Sequence, residues 1–106
     1  MAAVTRLVAD FDLDAAAVCE PDGADIAWYL ILDGTWATTA YVSSGATVPE
    51  SVVHVMAIFQ AAAIEKARRA VPECPGHPHP ASLFVTDTTV GWLCQVSRAR
   101  LAEISY

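Results

Sequence analysis

Val4, Leu7, Val8 and Phe11 recur at i, i+3, i+4 and i+7, one stripe of a short amphipathic helix over about residues 2–12. The same stretch also alternates, with Leu7, Ala9, Phe11 and Leu13 on one strand face, and the helix is the favoured of the two readings. Residues 15–20 carry no clear period, and Pro21-Asp22-Gly23 then has the chemistry of a turn. From Asp25 the period is two. Ile26, Trp28, Leu30 and Leu32 share one face, and Ala27, Tyr29 and Ile31 the other. Asp33-Gly34 suits a two-residue type I′ turn, because both central residues of that turn need positive φ. The chain returns through Thr35 to Val42, which predicts a hairpin with Leu32 opposite Thr35, Ile31 opposite Trp36 and Trp28 opposite Thr39. Its first strand, apolar on both faces, is expected to be central and covered on both sides.

Thr47-Val-Pro-Glu50 has the spacing of a capping box, with Pro49 where a missing N–H costs little. A long helix is expected from about 49 to 71, with Arg68 and Arg69 at its negative end and Pro72 as the stop. The segment 72–80 holds four prolines, which exclude helix and most ladder pairing. Leu83 to Asp87, a turn at Thr88-Thr89 and Val90 to Val96 read as a second hairpin. Ser97 to Tyr106 reads as a short closing helix, capped by Ser97 with Leu101 and Ile104 inward. The expected fold is one α+β domain over residues 1–106. It is a mainly antiparallel sheet of two β-hairpins (about 25–42 and 82–96), with the long helix across a face and a short N-terminal helix.

Composition narrows the class. Apolar residues make up 55% of the 106 and charged residues only 17%, which excludes disorder. Six basic side chains against twelve acidic ones leave net charge −6, which excludes binding nucleic acid by phosphate neutralisation. No charge-free apolar run reaches the roughly 20 residues that a spanning helix needs. Arg6 and Asp10 interrupt any signal-peptide core, so the expected location is the cytoplasm. The apolar excess is more than one small core needs, and a homodimer is the simplest outlet. The long helix would supply the interface through Val52, Met56, Phe59 and Ala63.

Three cysteines, an odd number, argue against a closed disulfide framework. Cys74, His77, His79 and Cys94 form a ligand set instead. Two residues between Cys74 and His77 let a tight turn aim both at one ion, His79 follows in an extended segment, and the second hairpin returns Cys94 towards the loop. Such a Cys2His2 set suits Zn²⁺, and with one position left to water the ion could be catalytic. The spacing over 74–94 resembles half a zinc-ribbon or treble-clef knuckle. It departs from that pattern after Cys94, where Gln95, Val96 and Ser97 offer no second ligand. Against this stands the plain reading of a proline-stiffened loop with exposed histidines and a buried Cys94. On that plain reading no cofactor is expected; otherwise the cofactor is Zn²⁺.

Other candidates have simpler explanations. Glu50 and His54 make an i, i+4 pair suited to a solvated helix face. Asp10, Asp12 and Asp14 lack the glycine and terminal glutamate of a Ca²⁺ loop. Trp28, Trp36 and Trp92 read as core or interface anchors. Two functions remain. The first is a small acidic binding protein, homodimeric or docking on a partner with a basic surface, with zinc at most as a staple. The alternative is a metal-dependent enzyme or small-ligand domain built on the Cys74–His79 loop.

Overall fold

The computed structural model describes residues 2–76 and 79–106. The element order is α1 (Ala2–Ala9), β1 (Ala15–Asp22), β2 (Asp25–Leu32), β3 (Thr35–Ser43), α2 (Val48–Ala67), β4 (Ser82–Val85), β5 (Thr89–Leu93) and β6 (Arg100–Ser105). Strands β1-β2-β3 form one antiparallel sheet and β4-β5-β6 a second. The α+β expectation holds, with each expected hairpin extended by a third strand.

The α1 stripe behaves as its period requires: Val4, Leu7, Val8 and Phe11 are at most 1% exposed. Residues 15–22, without period in the sequence, become an edge strand. An edge position tolerates Pro21, so the turn moves on to Gly23 at φ +65°. The Asp33-Gly34 turn has φ of +52° and +75°, the type I′ signature. It sets Leu32 opposite Thr35 and Ile31 opposite Trp36. The register then shifts between Leu30 and Ile31, so Trp28 faces Ala40 rather than Thr39. One extra residue, Ala37, is accommodated there as a bulge, which no hydrophobic pattern announces.

Helix α2 opens on the expected box: Thr47 Oγ1 accepts the Glu50 N–H at 3.3 Å, and the Thr47 N–H donates to Glu50 Oε2 at 3.4 Å. It ends at Ala67, because Arg68 turns left-handed at φ 59° and donates its N–H to the Ile64 carbonyl. Its most apolar window has a mean hydropathy of 1.2, enough by length and composition for a membrane span. It lies on the first sheet, with Val52, Val55, Met56, Phe59 and Ala63 at 1% exposure or less. Helix α1 packs beside it against β1, and the molecule is only 15 Å thick in its thinnest direction, one helix layer on one sheet layer.

Two expectations need correction. Strand β2 is central but covered on one face only. Trp28, Leu30 and Leu32 meet the helices, while the opposite face leaves Val18, Trp36 and Tyr41 at 51%, 61% and 54% exposure. Trp36 is therefore no core anchor, unlike Trp28 and Trp92. The C-terminal segment is a strand, not a helix. The i, i+3 pair Leu101 and Ile104 is the helical signal, but Ala102 and Ile104 alternate equally well, and β5 offers them an edge. Ser97 Oγ does accept the Ala99 N–H, yet within a turn rather than a helix cap.

Candidate metal centre

The proline-rich loop after α2 folds back on itself. A single bridge joins Glu73 to Pro80. Its hydrogen bonds use the donors the prolines leave available, Cys74 N–H to the His79 carbonyl (3.2 Å) and Ala81 N–H to the Pro72 carbonyl (2.8 Å). Gln60 of α2 anchors this fold-back by donating to the carbonyls of Val71 (3.1 Å) and Ala81 (2.8 Å). Cys74 and His79 are thereby set opposite each other.

Cys94 arrives from the other direction. It follows β5, where Val90 and Trp92 already point inward, so alternation turns Cys94 the same way. The β5–β6 turn closes at this residue, with Cys94 N–H donating to the Ala99 carbonyl (2.9 Å) and Arg98 N–H to the Cys94 carbonyl (2.8 Å). Trp92 holds the strand in place by donating Nε1 to Asp10 Oδ2 (3.0 Å) and setting its ring 6.2 Å from that of Phe11.

The donor atoms of Cys74, His79 and Cys94 all lie within 4.8 Å of one another. Both thiols are buried, at 0% and 1% exposure, and His79 is partly buried. His77, the fourth expected ligand, lies outside the described residues. Among the described residues this is the one group of three or more His, Cys, Asp or Glu side chains with such a spacing. The Asp10–Asp14 run forms none. Asp10 is engaged with Trp92, and the Asp14 carbonyl accepts the Asp33 N–H.

The two sulfurs are electrostatically unequal. Cys94 is drawn from the usual thiol range to about 6, first by the Ser97 hydroxyl and then by the backbone N–H of Ser97. The Val96 N–H and the Cys74 thiol add to this, while burial opposes it. Cys74 is pushed up, chiefly by burial, then by donating to Cys94 and by the Cys94 charge. The Gln95 N–H counteracts this in part. Backbone N–H groups converging on a sulfur favour the thiolate, the form that ligates a metal. Ser97, Val96 and Gln95 are thus the residues of the candidate site that the ligand spacing alone does not disclose. They offer no metal ligand, yet their backbone and hydroxyl donors serve the sulfurs. A small hydroxyl residue three positions after a cysteine is the one signal of this in the sequence.

The four side chains expected at a dimer interface lie elsewhere. Val52, Met56, Phe59 and Ala63 are buried in the chain's own core, beneath the first sheet. The apolar positions that α2 turns outward are Val53, Ala57 and Ala61, with Ile64 half-buried. His54 is exposed beside them.

No family model, curated protein or solved structure matches the chain.

Proposed function

We propose that this chain is a zinc-stapled binding module in which Cys74, His79 and Cys94 hold a structural Zn²⁺. The observation that carries the reading is the convergence of three soft and borderline donors within 4.8 Å, two of them buried sulfurs that receive N–H groups. Two thiolates and an imidazole favour Zn²⁺ over hard cations, which require oxygen ligands. A tetrahedron leaves one position, for the fourth ligand expected from the sequence, His77, or for water.

The burial of both sulfurs favours a structural over a catalytic ion, because a catalytic ion must face a cleft that admits substrate. A metal here would tie the fold-back loop at 72–81 to the β5–β6 turn. It would thus join α2, through Gln60, to the second sheet. A small domain with a modest core gains most from such a cross-link. The formal charge of −6 would steer the module towards a basic surface.

Metal analysis of protein purified without chelator tests the reading. One zinc per chain is expected, lost in Cys74→Ser and in Cys94→Ser. Cobalt substitution should give thiolate-to-metal charge-transfer absorption. Protein that remains metal-free after zinc is supplied under reducing conditions would refute it. A site that needs His77 will lose affinity in His77→Ala, whereas a site open to water will not.

A further inference from the structure

Helix α2 has a second apolar face that the fold leaves uncovered. Val53 is 42% exposed, Ala57 and Ala61 are exposed, and Ile64 is half-buried. Strand β4 runs along this face, and the two elements bound an apolar trough. At the start of the helix Pro49, Glu50, Val53, His54, Ala57 and Val85 line a shallow depression open to solvent. Further along, Ala57, Ala61 and Ile64 face Pro80 and Leu83. The outer face of the first sheet is also exposed, but its polar groups satisfy one another. Tyr29 donates to Glu20 at 2.8 Å, and Trp36 Nε1 donates to Thr39 at 2.9 Å. Antiparallel sheets commonly present such a face to water.

We infer that the α2–β4 trough binds the same helix of a second copy, giving a two-fold homodimer with the α2 helices antiparallel. The pattern of α2 is self-complementary about a point between Ala57 and Ala61. An antiparallel partner with Ala57 opposite the partner's Ala61 brings two small side chains together, so the helix axes approach closely. The same register sets Ile64 against the partner's Val53 and His54, and the acidic first turn at Glu50 against the basic end at Arg68 of the second copy. Both the side-chain charges and the helix dipoles favour that pairing. A parallel arrangement would stack like charges at each end.

The area sets the strength. The exposed run from Pro49 to Ile64 is about 24 Å long at 1.5 Å per residue. With one helix diameter and a flanking strand the trough is about 16 Å wide. That gives roughly 400 Å² per copy, or about 800 Å² in total, below the roughly 1,000 Å² of a stable specific interface and in the range of transient ones. The dimer is therefore weak and concentration-dependent. This inference deepens the reading of the chain as a binding module, and zinc content measured in the same samples separates the two.

Sedimentation of the zinc-loaded protein from about 1 to 300 μM, spanning a micromolar Kd, is the test. A reversible rise from 11.3 kDa to twice that mass is expected. Ala57→Arg and Ala61→Glu each put a charge on an exposed position. Each should weaken dimerisation at least about tenfold while leaving the melting curve of the monomer unchanged. Mixing the two variants should restore a heterodimer, because the introduced guanidinium and carboxylate then face each other. Trp36→Arg, on the sheet face, should leave the dimer intact. A zinc-loaded monomer across the whole range would overturn the inference while sparing the zinc staple. So would dimers that survive both alanine substitutions, that fail to re-form on mixing, or that are lost with Trp36→Arg.

Discussion

On the proposed zinc staple, removal of the metal should cost this domain a large part of its thermal stability, and the size of the loss follows from where Cys74, His79 and Cys94 sit. Cys74 and Cys94 are about 20 residues apart in the chain. Closing a loop of that length with a covalent-like link removes about 11 cal/mol/K of chain entropy from the unfolded ensemble, or about 3 kcal/mol at 25 °C. A domain of this size stands only about 5–15 kcal/mol above its unfolded state. At about 2 cal/mol/K of unfolding entropy per residue, 3 kcal/mol corresponds to roughly 15 °C in melting temperature. The ligand bonds themselves act in the same direction, so this is a lower figure for a fully engaged site. The assay is calorimetry, or circular dichroism at 222 nm, on zinc-loaded protein and on protein stripped with chelator under reducing conditions, with metal content measured in both. A fall of about 15 °C or more is expected. Cys94→Ser should melt like the stripped wild type and gain nothing from added zinc. A difference of less than about 3 °C between verified holo and apo protein would refute the cross-link reasoning.

Two further outcomes do not depend on metal binding. Gly91 lies directly against the Ala102 carbonyl across the β5–β6 pairing, so a methyl group there collides with backbone. Gly91→Ala should destabilise by about 2–3 kcal/mol, and a chemical-denaturation midpoint equal to wild type would contradict the tight register. The Tyr29 hydroxyl is raised above the usual phenol range, chiefly because it donates to the Glu20 carboxylate and would lose that bond on ionisation. Glu20→Gln removes the charge that opposes the phenolate. Ultraviolet titration should then show Tyr29 ionising at lower pH than in the wild type, and an unchanged or higher midpoint would reject the contact.

Several elements are legible in the sequence because their causes are local. The Thr47–Glu50 box, the Asp33-Gly34 turn and the stripe at Val4, Leu7, Val8 and Phe11 each depend on residues a few positions apart. Their chemistry is complete within a short window. The ligand set at Cys74, His79 and Cys94 is legible as residue types and spacings. Of the donors to Cys94, the Ser97 hydroxyl leaves a trace, a small hydroxyl residue three positions on, whereas the backbone N–H groups of Val96 and Ser97 leave none.

The primary structure alone determined that this chain takes an α+β fold, where its first hairpin turns and where its long helix starts. Periodicity and capping act over a few residues and have few alternatives. Tertiary packing decided the rest. It made a strand of residues 100–105, since β5 had an unpaired edge and two apolar positions cannot tell a helix from a strand. It chose which arc of α2 was buried, taking Val52 and Phe59 inward and leaving Val53 and Ala57 outside, because a helix that is apolar nearly all round does not specify its own inner face. And it brought Cys94 to the loop of Cys74 and His79, a contact across about 20 residues that exists only once the second sheet has formed.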